Sequence, residues 1–86
     1  MNKVFSEAAW EDYLYWEQTD KKIFKRINQL IKDIDRNGHE GIGKPEALRH
    51  EMQSFWSRRI NTEHRLVYAI DENSILIAQC RFHYEK

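Results

Sequence analysis

Residues 19–38 read TDKKIFKRINQLIKDIDRNG. Ile23, Ile27, Leu30, Ile31 and Ile34 fall at i, i+4, i+7, i+8 and i+11, a single apolar stripe of helical period. Thr19 or Asp20 can cap the start of this helix, and Gly38 can close it. The remaining positions are largely charged, so only one face is built to be buried. A one-sided helix needs an apolar partner surface, and the flanking sequence supplies it.

Upstream, Ser6 is a good cap for a helix over 7–18, where Ala9, Trp10, Tyr13, Leu14 and Trp16 keep a looser helical spacing. Val4 and Phe5 suggest a short opening strand. The helices are separated by very few residues, which makes them an antiparallel hairpin. Downstream, Gly38, Gly41, Gly43 and Pro45 hold every glycine and the only proline, which marks a loop. Short β-type runs follow around 47–51, 55–61, 65–70 and 75–82, and Asp71-Glu72-Asn73-Ser74 reads as a hairpin turn. The order β-α-α-β-β-β-β predicts an α+β fold, with two antiparallel helices packed on one face of a mainly antiparallel sheet.

Alternation along the strands assigns the two faces. Leu66, Tyr68 and Ile70 form one set, with Arg65, Val67 and Ala69 opposite. In the last run Leu76, Ala78, Cys80 and Phe82 are expected under the helices, with Gln79, Arg81 and His83 on the other side. In the absence of a bulge, Arg65 and His83 share the open face. Arg58 and Arg59, being neighbours, point to opposite faces.

Composition narrows the function. The 86 residues are 41% hydrophobic and 13% aromatic, which fits one small globular domain spanning 1–86. Fourteen Lys and Arg balance fourteen Asp and Glu, which argues against gripping nucleic acid by bulk charge. The charge is uneven, however. Residues 1–20 set Lys3 against five carboxylates, and 21–37 set six cations against two. The simplest account is the solvated faces of two helices. The single cysteine, Cys80, excludes a disulfide framework and a thiolate zinc site. His39, His50, His64 and His83 lack metal-ligand spacing, so no metal or cofactor is expected. No apolar run approaches the roughly 18 residues of a membrane span, and the opening MNKVFSEAAW lacks the apolar core of a signal peptide. A cytoplasmic protein is the expectation.

The strand half concentrates Lys44, Glu46, Arg49, His50, Arg58, Arg59, Glu63, His64, Arg65, Arg81, His83 and Tyr84, interleaved with Phe55, Trp56 and Phe82. Cations beside rings suit RNA, because arginine meets phosphate and rings stack on unpaired bases. The same set also fits the solvated rim of an ordinary sheet.

Four motifs are more specific: G-K-P-E-A-L-R-H at 43–50, F-W-S-R-R-I at 55–60, E-H-R-L-V-Y at 63–68 and C-R-F-H-Y at 80–84. With W-E-D-Y-L-Y-W-E-Q-T-D-K at 10–21, they resemble the YoeB toxins of the RelE/ParE toxin–antitoxin superfamily, from end to end and in order. The resemblance implies a RelE-like fold and a ribosome-dependent, metal-independent endoribonuclease that cuts mRNA in the ribosomal A site. It implies Glu46 as general base, Arg65 as stabiliser of the phosphorane charge, His83 as general acid and Tyr84 as support for the phosphate or the acid. It assigns RNA contacts to Arg59, Arg49, Lys44 and Glu63, and less surely to Arg58. His50 and His64 are expected to be structural or ribosome-facing. The implied partners are a YefM-like antitoxin, the ribosome with its mRNA, and a second copy in a homodimer, for which Trp10 is a candidate contact. The same superfamily also contains gyrase poisons, and an inactive antitoxin-binding member is a further alternative. Arg49 stands where lysine is expected and Ser54 where glycine is expected, and Glu85-Lys86 follow Tyr84.

Overall fold

The computed structural model describes residues 1–83. The apolar stripe of 23–34 forms helix α2, Lys21–Asn37, capped by Asp20, whose carboxylate accepts from Lys22 N and Ile23 N. Gly38 closes it with φ 66°, its N–H donating to Ile34 O. Helix α1 spans Glu7–Thr19, with Ser6 Oγ accepting from Ala9 N as expected of an N-cap. Strand β1 is Asn2–Phe5, and β2 to β5 are Glu46–Ala47, Trp56–Arg59, Arg65–Asp71 and Ser74–Gln79.

The strands form one sheet in the order β1-β5-β4-β3-β2. The chain folds β2 through β5 by successive antiparallel pairings. β1 instead lies parallel to β5, from Asn2 opposite Ser74 to Phe5 opposite Ile77. The sheet is therefore mixed rather than wholly antiparallel. Parallel neighbours need a long crossover, and the helical hairpin begins that crossover.

The helices cover one face. Ala9, Trp16, Ile27, Leu30, Ile31 and Ile34 pack against Ile60, Leu66, Tyr68, Ile75, Ile77 and Cys80. Burying this set drives the fold, at roughly 1.5–3 kcal/mol for each large aliphatic side chain fully removed from water. Trp16 also donates its indole N–H to Cys80 O at 2.9 Å, so its polar edge is satisfied inside the core. Trp10 remains 46% exposed, stacked on Tyr13. No helix among the described residues is long and apolar enough to cross a membrane.

Three local expectations are corrected. First, the run 47–51 is not a strand. β2 ends at Ala47, and His50–Met52 make a 3₁₀ turn entered through His50 at φ 60°. Second, the β4–β5 register shifts between Val67 and Tyr68, which face Gln79 and Ile77. Ala78 is thus a bulge, and one extra residue reverses the faces beyond it. Ile75 and Ile77 enter the core in place of Leu76 and Ala78, while Cys80 is buried as expected. Third, β5 stops at Gln79, so Phe82 is 58% exposed rather than packed under the helices. Arg81 does not share a face with Gln79. Its guanidinium carbon sits 3.7 Å from the ring centroid of Tyr15 on α1.

Candidate active site

The face of the sheet away from the helices is set by register. Glu46 lies opposite Ser57, Ser57 opposite Val67, and Val67 opposite Gln79, which makes one row across four strands. The next row places Arg59 directly opposite Arg65. Cross-strand partners share a face, so Glu46, Arg59 and Arg65 lie on one surface. With strands about 4.8 Å apart, Glu46 and Arg65 are separated laterally by roughly 10 Å, with β3 between them. Ser57, Val67 and Ala69 on this face are also buried, so the exposed part is its margin.

Arg59 is exposed, whereas Arg65 is only 8% exposed. Its Nη1 donates to the carbonyls of Asn61 at 2.8 Å and His64 at 3.1 Å. This ties the guanidinium to the β3–β4 turn and restricts its freedom. The turn is itself organised by Asn61, whose Oδ1 accepts from Glu63 N and His64 N. Glu63 is exposed at its tip.

His83 is delivered to the same end. Arg65 N donates to Phe82 O at 3.0 Å, and Gln79 Nε2 donates to the carbonyls of Arg81 and His83. The side chain of His83 is exposed. Lys44, exposed at φ 51°, leads into Glu46, and Arg49 is exposed at the start of the 3₁₀ turn. Tyr84 lies outside the described residues. The structure therefore sets Arg59 and Arg65 side by side on this face, with the backbone of 81–83 fastened beside them and Glu46 one row further along.

Arg58 has a different place. It is fully buried on the helix side, opposite Leu66. Its Nη1 donates to Asp33 Oδ2 at 2.6 Å and Ile42 O at 2.8 Å, its Nη2 to Gly38 O at 2.6 Å and Glu40 O at 3.1 Å, and its Nε to Tyr68 Oη at 3.2 Å. It clamps the 38–43 loop, whose end, Gly43 O, accepts from Arg59 N. The Arg58 guanidinium holds the Asp33 carboxyl below the usual carboxylate range. Burial pushes the Tyr68 phenol up and the nearby His39 imidazole down. Sequence reading missed this cluster. Its only signal was alternation, which separated Arg58 from Arg59.

A mixed five-stranded sheet covered on one face by a helical hairpin is a fold shared with known toxins. The structure superposes on a YoeB/ParE toxin from Agrobacterium tumefaciens with a TM-score of 0.95, at 42% identity, over 98% of this chain and all of that one. This is a RelE/ParE-type toxin fold. The model of the YoeB-like toxin of bacterial type II toxin–antitoxin systems matches residues 5–84, and the chain belongs to that family. Toxin YoeB of Escherichia coli K12 is 60% identical over 84 residues, 98% of this chain and the whole of that one. A Staphylococcus aureus YoeB–YefM complex superposes at a TM-score of 0.92 with 56% identity, covering 98% of both chains, and that organism's YoeB is also solved as a dimer.

Proposed function

We propose that this toxin is a ribosome-dependent endoribonuclease that cleaves mRNA in the A site and is neutralised by a YefM-like antitoxin. The observation that carries the reading is the register that puts Glu46, Arg59 and Arg65 on one face, with the 80–83 segment fastened to Arg65 through Phe82 O. The ribose 2′-OH attacks the adjacent phosphorus while Glu46 takes its proton. The O2′–P bond forms and the P–O5′ bond breaks. His83 gives a proton to the departing O5′, leaving a 2′,3′-cyclic phosphate and a 5′-hydroxyl. Arg65 stabilises the extra charge on the phosphoryl oxygens, and its anchored Nη1 makes it a preorganised donor. Arg59, Arg49 and Lys44 hold the flanking backbone as phosphate contacts, and Glu63 accepts from a base. Tyr84 supports the phosphate. By analogy with the Staphylococcus aureus relative, the free toxin pairs as a homodimer.

The test is cleavage of mRNA by purified protein, with and without ribosomes, with the cut ends mapped. Cuts inside A-site codons only when ribosomes are present support the reading. No cleavage in either mixture by folded protein refutes it, and inhibition of DNA gyrase by the same protein would then identify a gyrase poison.

A further inference from the structure

We infer that His64 is a positioning residue, whose imidazole fixes the backbone that presents His83. This deepens the proposed nuclease site and rests on it for the role of His83.

The ladder between β4 and β5 ends at Gln79, so residues 80–83 must be held by something other than sheet pairing. Phe82 has φ 65°, a left-handed conformation rare for a bulky aromatic residue. Such a residue persists only when its surroundings over-determine it. Here both of its backbone polar groups are taken by consecutive residues of the opposing chain. Arg65 N donates to Phe82 O at 3.0 Å, and Phe82 N donates to His64 Nδ1 at 2.7 Å. The imidazole thus replaces the carbonyl that a continuing strand would have offered. Because Nδ1 accepts, the ring carries its proton on Nε2.

The rest of His64 is already fixed. Its N–H donates to Asn61 Oδ1, and its carbonyl accepts from Ile60 N and from Arg65 Nη1. Its ring meets Trp16 edge-on at 4.9 Å. One residue therefore joins the turn that anchors Arg65 to the segment that carries His83. A general acid displaced by about 1 Å loses roughly 100-fold in rate, so this bond controls catalysis without touching RNA.

Two substitutions separate positioning from packing. In His64→Asn, the Oδ1 atom occupies the place of Nδ1 and can accept from Phe82 N. In His64→Gln, the acceptor moves outward to the place of Nε2. Both lose the ring against Trp16 equally. The inference expects His64→Gln to cut mRNA on saturating ribosomes about 100-fold more slowly, with the half-saturating ribosome concentration little changed. It expects His64→Asn to stay within about 3-fold of wild type. Amide hydrogen exchange at Phe82 should be slow in wild type and His64→Asn and fast in His64→Gln. Equal rates and equal Phe82 exchange in the two variants would overturn the inference. If the wild-type protein itself does not cut, the nuclease reading fails, and the Phe82 exchange pattern alone decides the positioning.

Discussion

Replacing Arg58 with methionine keeps the length of the side chain and removes the guanidinium. The substitution leaves the Asp33 carboxylate and the carbonyls of Gly38, Glu40 and Ile42 without this donor, in a part-buried setting. Removing one partner of a buried ion pair costs about 3–5 kcal/mol, because the remaining charge stays desolvated. Asp33 keeps 16% of its side chain exposed, so water relieves part of this, and about 3 kcal/mol is expected. A chain of this size has about 4–13 kcal/mol in total, and each kcal/mol moves Tm by about 4–8 °C. Arg58→Met should therefore lower Tm by about 12–24 °C. Urea denaturation should show a lower midpoint with an unchanged slope. The acid limb gives a second reading. Arg58 lowers the Asp33 pKa, so its contribution is present above the unfolded carboxyl value of about 3.9 and is lost as pH falls through the lower folded value. Below about pH 4 the wild-type curve should fall more steeply than that of the variant. A loss below about 1 kcal/mol, with parallel acid limbs, would refute the assignment of Arg58 as the clamp of the 38–43 loop.

Glu46→Gln and His83→Gln should each slow A-site cleavage about 10²–10⁴-fold in protein that still unfolds cooperatively on heating. Arg65→Lys is the fitting test of the third residue, because the alanine variant would also strip the turn of its donor. Cys80 is buried, which pushes its thiol up to about 12. Alkylation by iodoacetamide at pH 8 should be slow in the native protein and fast in guanidinium, and rapid native labelling would contradict the burial. Gly43→Ala forces a side chain onto φ 82°, with its Cβ 2.8 Å from Leu30 Cδ2 and 3.3 Å from Arg59 O. A loss of about 1–2 kcal/mol on urea denaturation is expected.

Legibility in the sequence followed the range of the interactions. The Ser6 cap, the stripe from Ile23 to Ile34, the Gly38 stop and the turn at 71–74 are set by residues close in sequence, and each was readable. The bulge at Ala78 was not, because strict alternation carries no mark of an inserted residue. The parallel placement of β1 depends on a partner more than seventy residues away. In the site, alternation correctly set Arg65 apart from Leu66 and Arg59 apart from Arg58. It could not show that Arg58 is a buried clamp, because its acceptors are scattered over Asp33, Gly38, Glu40, Ile42 and Tyr68. His64 is expected to be structural or ribosome-facing, but its contact could not be read, for the same reason. Its partner, Phe82, is eighteen residues on, beyond the end of the ladder.

The pairing of β1 with β5 also has a bearing on synthesis. The first strand waits for the last one, and Trp16, made early, waits for the carbonyl of Cys80. A growing chain can form its helical hairpin first, but the sheet closes only when residues 74–82 have emerged. A partly made chain can already pair β2, β3 and β4, which carry Glu46 and Arg65, but it lacks the strand that joins them to β1. The strand made last is thus the one that closes the sheet and seats the indole of Trp16.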